Sequence, residues 1–290
     1  GFGENLVYEK ADFYINLVFA DPSNQPVVAA STLPSVNNGS YQYELANARN
    51  FSFSFSPDYL VTSTNVGDVQ VYNYVFPEDA AAGAKVLEVT AASIDVFSSV
   101  IGPYPHKVMT AVETELNDGL ETDGMYFLSS SFYKQFTGGI QNNLSVIAIH
   151  ETAHQWWYGG VASDQANEPW LDEALATYSE YMYFDTKHPE LLQWWWNFRV
   201  YSHNPSGWVN SSIYNFSYFT DYVNAVYFDG AEFLNMVNKR IGKQAFYTWI
   251  RTYYATYNGR IATTDDIFAV LRQVTSTNIE DLKVKYFLGY

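Results

Sequence analysis

The 290-residue chain contains no cysteine. Disulfide bonds and thiolate metal sites are therefore excluded, and any metal ion must be held by histidine and carboxylate side chains. Histidine is itself scarce, with five residues in the whole chain. Because five histidines rarely produce a metal-binding spacing by chance, two histidines at such a spacing are evidence for a metal site.

Basic residues are also few: 15 lysines and arginines stand against 31 aspartates and glutamates, which gives a formal net charge of -16. A nucleic-acid partner is disfavoured, because a phosphate backbone is held by clustered lysine and arginine. An anionic membrane surface is disfavoured for the same reason. The sequence has no apolar run of about 18 residues or more, so we predict no membrane span.

Alternating apolar residues predict that the first part of the chain is rich in β-strands. Every second residue of 13–19 is apolar, phenylalanines alternate with serines over 51–55, and a third alternating run begins at Val69. Period-two spacing places one set of side chains on one face of a sheet. Prolines and an Asn-Asn-Gly-Ser sequence separate these runs and predict turns between them.

The pattern changes after the last of these runs. Apolar residues near helical spacing predict a helix over 78–97. Short strands are predicted over 107–112 and 125–128, with a Gly- and Asp-rich loop, 117–124, between them. The chain beyond Gln141 is predicted to be largely helical. Strands first and helices later indicate an α+β fold.

The strongest chemical signal is the His-Glu-x-x-His motif formed by His150, Glu151 and His154. Apolar residues precede it and residues 159–160 are both glycine, so it is predicted to lie on a buried helix that ends at these glycines. Residues four apart share a helix face, and two imidazoles on one face can bind one Zn²⁺. Glu151 lies beside the first histidine without having to bind the metal, which suits a general base for a zinc-activated water. The alternative is a chance motif on a buried helix.

A second predicted helix, with Pro169 in its first turn, supplies carboxylates for a third ligand. Its acidic residues Asp172, Glu173 and Glu180 lie among apolar neighbours. Glu173 and Glu180 are seven residues apart and therefore share a helix face. One of them can bind zinc while the other accepts a hydrogen bond from a ligand histidine and fixes its tautomer. A solvated acidic helix face is the alternative interpretation.

Eighteen residues separate His154 from Glu173, and the motif extends as Gln-Trp-Trp-Tyr-Gly-Gly after the second histidine and as Pro-Trp-Leu-Asp-Glu-Ala-Leu-Ala-Thr-Tyr-Ser-Glu around the glutamate. This combination resembles the alanyl aminopeptidase (aminopeptidase N) family of gluzincin zinc peptidases. The similarity is expected to run from about Phe51 to the C-terminus. The resemblance implies one zinc ion per chain, bound by His150, His154 and Glu173, with Glu151 as the general base.

The resemblance assigns further roles. The family has a catalytic tyrosine in a Tyr-x-x-Gly sequence, which Tyr227 matches, and its hydroxyl would stabilise the oxyanion formed during hydrolysis. The family's Gly-x-Met-Glu-Asn loop binds the α-amine of the substrate, and its counterpart here is Asp-Gly-Leu-Glu-Thr-Asp-Gly, with Glu121 as the candidate anion. This match departs from the family at three neighbouring positions, and Glu115 is a nearby alternative. With Glu173 as the metal ligand, Glu180 is predicted to accept the hydrogen bond of a ligand histidine.

The resemblance also implies a thermolysin-like α+β catalytic domain over residues 51–290, preceded by a remnant of an N-terminal β domain over residues 1–50. Family members normally carry a full β domain before the catalytic domain and a helical domain after it, so we expect a fragment, an excised domain or a minimal relative. The implied activity is zinc-dependent hydrolysis of peptides by removal of N-terminal residues. The alternatives are an endopeptidase or broad-specificity peptidase and a zinc-bound peptide-binding domain without turnover. Family habit and acidity favour an extracytoplasmic location.

Overall fold

The computed structural model describes residues 7–290, and it contains both helices and strands, as the sequence predicts. The strands are β1 (Ala11–Leu17), β2 (Val27–Ala30), β3 (Ser35–Asn37), β4 (Ser40–Ala48), β5 (Phe53–Ser56), β6 (Leu60–Val66), β7 (Val69–Val75), β8 (Val108–Thr114), β9 (Gly119–Thr122) and β10 (Met125–Ser129). The helices are α1 (Ala80–Val100), α2 (Ser130–Lys134), α3 (Asn143–Ala153), α4 (Trp170–Lys187), α5 (Leu192–Trp195), α6 (Phe219–Val223), α7 (Gly230–Ile241), α8 (Lys243–Tyr257), α9 (Thr264–Val274) and α10 (Glu280–Tyr286). Within residues 7–290, none of these helices has both the length and the apolar character needed to cross a membrane.

The described chain divides into two compact units. The strand-rich unit consists of Glu9–Asp95 and Tyr104–Gln155, and the helical unit consists mainly of Val96–Pro103 and Trp156–Tyr290. Within the strand-rich unit, β5 pairs antiparallel with β2, so strands on both sides of position 50 belong to one small sheet. The domain boundary at residue 50 stays a prediction, and residues 1–6 of its first segment lie outside the described part of the chain.

The largest sheet of the strand-rich unit has five strands in the order β6-β7-β8-β10-β9. β7, β8 and β10 run parallel, while the edge strands β6 and β9 are antiparallel to their neighbours. Helix α1 connects β7 to β8, because parallel neighbours need a long crossover connection. Val86 and Val89 of this helix are fully buried, and the hydroxyls of Thr90 and Tyr126 join it to β10 at 2.7 Å. Strand β9, at one edge of this sheet, carries the candidate site residue Glu121.

The sequence predicts a loop over 117–124, and this prediction is wrong in part. Gly119–Thr122 form the edge strand β9, which pairs with β10. The turn-forming residues lie at the two ends of this strand, where Asp118 has a φ of 66° and Gly124 a φ of 77°. Left-handed backbone favours glycine and, among other residues, asparagine and aspartate. The composition that suggests a loop therefore reflects two turns that enclose a short strand.

Aromatic side chains pack around the start of α4 in the helical unit. Trp170 stacks on Phe268 of α9 with ring centroids 6.0 Å apart and meets Phe233 of α7 edge-on at 6.2 Å. Its indole nitrogen donates a hydrogen bond to the Thr264 hydroxyl at 2.9 Å, which satisfies the polar group of a fully buried ring. These contacts fix the beginning of the helix that carries Glu173.

Candidate active site

Helix α3 places the two motif histidines side by side. The side-chain oxygen of Asn142 caps its start by accepting a hydrogen bond from the Ser145 backbone at 2.9 Å, and residues 144–153 are all buried. His150 lies in the last turn, and His154 follows directly after the last helical residue. The centroids of the two imidazole rings are 4.7 Å apart. The four-residue spacing thus brings two buried imidazoles together, as the sequence predicts.

Helix α3 is shorter than predicted, because it ends at Ala153 rather than at the glycines of 159–160. Past this point the chain turns tightly: the backbone N–H of Val161 donates to the Trp156 carbonyl at 2.8 Å, and Tyr158 adopts a φ of 146°. The glycines lie inside this turn and do not cap the helix. The apolar residues that favour a longer helix lie in this turn instead, where their side chains are buried.

Two carboxylates lie beside the second histidine within the strand-rich unit. One oxygen each of Glu121 and Glu151 and one ring nitrogen of His154 lie within 4.8 Å of one another, and all three residues are buried. Such a group can hold a metal ion. Glu151 projects from α3 and Glu121 from β9, where a Cβ atom on Gly119 would collide with the Glu151 carboxylate. The missing side chain at Gly119 therefore provides the space that Glu151 occupies.

The structure separates the two candidates for the amine-binding glutamate. Glu121 is 6% exposed and lies opposite Tyr126 in the hairpin formed by β9 and β10. Glu115 is exposed and lines a surface depression together with Ser130 and Lys134. Of the two glutamates, Glu121 is the one that belongs to the buried group described above.

The turn of this hairpin, residues 122–124, is anchored by polar contacts to residues that are distant in sequence. The buried Asp123 carboxylate accepts a hydrogen bond from the Arg49 backbone at 2.8 Å and contacts His106 Nε2 at 2.6 Å. Its backbone N–H donates to the Asn50 side chain at 2.8 Å. Burial alone would raise the pKa of Asp123, but the hydrogen bond with His106 and the other favourable contacts keep this pKa below its usual value. Asp123 is therefore an ionised anchor of the hairpin at neutral pH.

Gln155 holds the same turn from a different side. Its Nε2 donates to the Thr122 carbonyl, and its Oε1 accepts from the Gly124 backbone, each at 2.8 Å. This glutamine belongs to the extended motif, whose pattern predicts no role for it. Its position directly after His154 was the signal that could have drawn attention to it.

In the helical unit, Glu173 and Glu180 both project from α4, as predicted, and both are buried. Glu173 lies in the first turn. Glu180 accepts a hydrogen bond from Trp195 Nε1 at 3.0 Å and a bidentate pair from Arg199, whose Nε and second terminal nitrogen each lie 3.0 Å from a carboxylate oxygen. A bidentate guanidinium compensates the charge of a buried carboxylate and fixes its plane. Sequence reasoning misses Trp195 and Arg199 because both lie outside the motif.

Tyr227 lies in a π-helical segment, Asn224–Asp229, between α6 and α7. Such wide turns are rare and occur often at functional sites. The neighbouring ring of Phe228 lies 5.4 Å from the Arg199 guanidinium, in a cation–π contact. Arg199 therefore joins Glu180 to the segment that carries Tyr227.

Comparisons with known proteins show which family this chain resembles. Residues 87–287 match the model of the peptidase family M1 domain. The chain is 24% identical to Aminopeptidase M1-D of Oryza sativa subsp. japonica over 244 aligned residues. This alignment covers 78% of this chain and 27% of the rice protein. The chain is also 24% identical to Aminopeptidase M1 of Arabidopsis thaliana, covering 74% of this chain and 26% of the relative, and 22% identical to Endoplasmic reticulum aminopeptidase 1 of Mus musculus, covering 75% and 25%.

The chain spans about a quarter of the length of these curated relatives. The family model nevertheless covers more than half of the chain, and the matched residues include the His-Glu-x-x-His motif and the glutamate-bearing helix. The family resemblance that the sequence motif indicates is thereby confirmed: the chain belongs to peptidase family M1.

Proposed function

We propose that this chain carries the catalytic site of a zinc-dependent aminopeptidase. The observation that carries the proposal is the buried group of Glu121, Glu151 and His154, which unites a candidate amine-binding carboxylate, a candidate base and a candidate metal ligand. Membership of peptidase family M1 and the aminopeptidase names of the relatives support the same activity. A thermolysin-like architecture is part of the proposal, and the mixed sheet followed by a histidine-bearing helix supports it.

The residues present fit zinc. The adjacent buried imidazoles of His150 and His154 supply nitrogen ligands, which zinc accepts together with a carboxylate oxygen. We assign Glu173 as the third ligand of one zinc ion per chain, supported by its spacing from His154 in the family motif. Glu180 is assigned as hydrogen-bond acceptor for a ligand histidine, a role that suits a carboxylate whose plane is already fixed by Arg199.

The chemistry proposed for these residues is hydrolysis of the first peptide bond. Bound zinc would supply a Lewis acid that polarises the carbonyl and makes water more acidic. The Glu151 carboxylate takes a proton from the attacking water and gives it to the leaving amine. The Tyr227 hydroxyl donates a hydrogen bond to the developing oxyanion. Glu121 accepts hydrogen bonds from the α-ammonium of the substrate, which sets the one-residue register.

Two other functions use parts of the same site. An endopeptidase or broad-specificity peptidase needs the metal and the base but no amine-binding carboxylate. A zinc-bound peptide-binding domain without turnover is disfavoured by Glu151, because a structural zinc site needs no base beside its ligands. Peptides are the proposed substrates, and an extracytoplasmic location stays a prediction.

The test uses a fluorogenic aminoacyl amide and its N-acetylated form, each with and without a chelator. We expect hydrolysis of the aminoacyl amide, loss of activity with the chelator, recovery with added zinc, and much slower hydrolysis of the acetylated form. Equal rates on the two substrates would replace the aminopeptidase with the broader peptidase. Zinc binding without hydrolysis of either substrate would favour the binding domain.

A further inference from the structure

Gln155 is a buried side chain, 1% exposed, and both ends of its amide contact the turn after Glu121. The amide nitrogen donates to the Thr122 carbonyl and the amide oxygen accepts from the Gly124 N–H, each at 2.8 Å. The two bonds lie on either side of Asp123 in the chain. A reversed amide would place donor against donor and acceptor against acceptor, so these contacts allow one orientation only.

These bonds connect the two elements that carry the candidate catalytic groups of the strand-rich unit. Gln155 follows His154 directly in the chain, and Thr122 follows Glu121 directly. Glu121 and His154 have ligand atoms within 4.8 Å of each other. Because a single peptide unit separates each candidate group from the amide contact, a shift of the turn relative to the end of α3 also moves Glu121 relative to His154.

The other anchors of the turn lie elsewhere. Asp123 is held by Arg49, Asn50 and His106, and each of these precedes α3 by many residues. They attach the turn to other parts of the strand-rich unit. The bonds of Gln155 differ from them, because they relate the turn to the segment that bears the histidines.

We propose that Gln155 is a positioning residue that holds Glu121 where it can receive the α-ammonium of a peptide substrate. The inference rests on the proposed function, because it takes Glu121 as the amine-binding group. A carboxylate and an ammonium interact strongly only at hydrogen-bonding distance. A displacement of about 1 Å in a substrate-positioning group can cost roughly a hundredfold in rate. Gln155 itself acts through the backbone of Thr122 and Gly124.

The experiment compares Gln155→Met and Gln155→Asn with the unmutated chain. Methionine keeps the size of the side chain and removes both hydrogen bonds. Asparagine keeps an amide group, but its side chain is too short to make both bonds. The asparagine variant is used for the measurement if the methionine variant does not fold. For each protein we would measure bound zinc and the kcat and KM of an aminoacyl amide and its N-acetylated form. We expect zinc to be retained and the preference for the free amine to fall roughly tenfold or more, mainly through KM.

Asn238→Leu is the matched control, since it removes another buried amide hydrogen bond, to the Tyr178 hydroxyl at 2.9 Å. It should lower stability and leave the preference for the free amine unchanged. If the unmutated chain shows no such preference, the proposed function itself fails. If Glu121→Gln removes the preference while both Gln155 variants keep it, the inference about Gln155 is overturned and the proposed function stands. Loss of zinc, or equal loss of rate on both substrates, in the Gln155 variants would also overturn it, because the side chain would then support the helix rather than place Glu121.

Discussion

Glu180 and Glu121 are both buried carboxylates, one in each unit, and the contacts described for them differ in charge. In the helical unit, Glu180 is paired with Arg199 and accepts a hydrogen bond from Trp195. In the strand-rich unit, Glu121 lies within 4.8 Å of a second carboxylate, Glu151. A carboxylate beside a cation is compensated by the fold itself, whereas two buried carboxylates at close range repel each other and favour a nearby cation. The first arrangement suits a group that holds others in place, and the second suits a group that meets a metal or a cationic substrate.

The largest expected effect comes from the carboxylate pair of the strand-rich unit. Glu151→Gln keeps the shape of the side chain but removes the base, so we expect the kcat on an aminoacyl amide to fall by roughly 10²–10⁴-fold. Zinc content should stay the same, because Glu151 is not one of the assigned ligands. Steady-state kinetics together with elemental analysis measures both quantities. A variant that retains more than about a tenth of the activity would exclude Glu151 as the base.

The next effect belongs to the compensated carboxylate of the helical unit. Arg199→Met leaves the Glu180 charge buried without its cation, and we expect a loss of about 3–5 kcal/mol in the free energy of unfolding. Urea unfolding at neutral pH measures this loss. Arg240→Met is the control, because it breaks an exposed ion pair with Asp281 whose shortest contact is 2.8 Å, and it should change stability very little. Equal losses in the two variants would mean that burial does not distinguish the two ion pairs.

A third prediction contrasts the two carboxylates directly. Glu121→Gln should lower the preference for a free over an acetylated amino terminus by about 1.5–3 kcal/mol, the range of a hydrogen bond to a charged group. Glu180→Gln should instead lower stability, because it leaves the Arg199 guanidinium without its buried counter-charge. Glu115→Gln controls for the loss of a nearby surface charge. If Glu115→Gln alone removed the preference, the amine-binding group would be six residues earlier in the chain.

The smallest effect concerns pH. Burial, together with repulsion from Glu232, raises the pKa of Asp229 to about 7. Above the ordinary pKa of 3.8, the unfolded chain releases the Asp229 proton while the folded chain keeps it. The contribution of protonated Asp229 to stability is therefore complete below pH 3.8 and is lost as the pH rises through about 7. Asp229→Asn should therefore flatten the fall in melting temperature between about pH 4 and pH 7. An unchanged slope would mean that Asp229 is ionised throughout this range.

Local patterns predict much of the fold. Helical spacing over 78–97 corresponds to α1, and alternating apolar residues identify strands such as β1 and β7. Errors occur where distant contacts decide the structure. Strand β9 exists because it pairs with β10, and residues 117–124 read alone have the composition of a loop. Helix α3 stops early because the chain turns back on itself after His154.

In the candidate site, too, local patterns are predictable and contacts between distant residues are not. The motif gives the histidines and Glu151, because the chemistry of one helix face is encoded in a four-residue spacing. The partners that hold the site are distant in sequence: Gln155 bonds to a backbone carbonyl 33 residues earlier, and Arg199 pairs with a glutamate 19 residues before it. A single sequence gives no sign of such contacts, because they depend on the packing of whole elements.

The most direct test of the central claim is the zinc content of Glu173→Ala, measured by elemental analysis after reconstitution with zinc. Asp172→Asn is the control, because Asp172 is the neighbouring carboxylate on the same helix and accepts a hydrogen bond from Gln165 at 2.6 Å. The account predicts one zinc ion per chain in the unmutated protein and in Asp172→Asn, and a large loss of zinc in Glu173→Ala. Full zinc occupancy in Glu173→Ala would contradict the assigned ligand set of His150, His154 and Glu173.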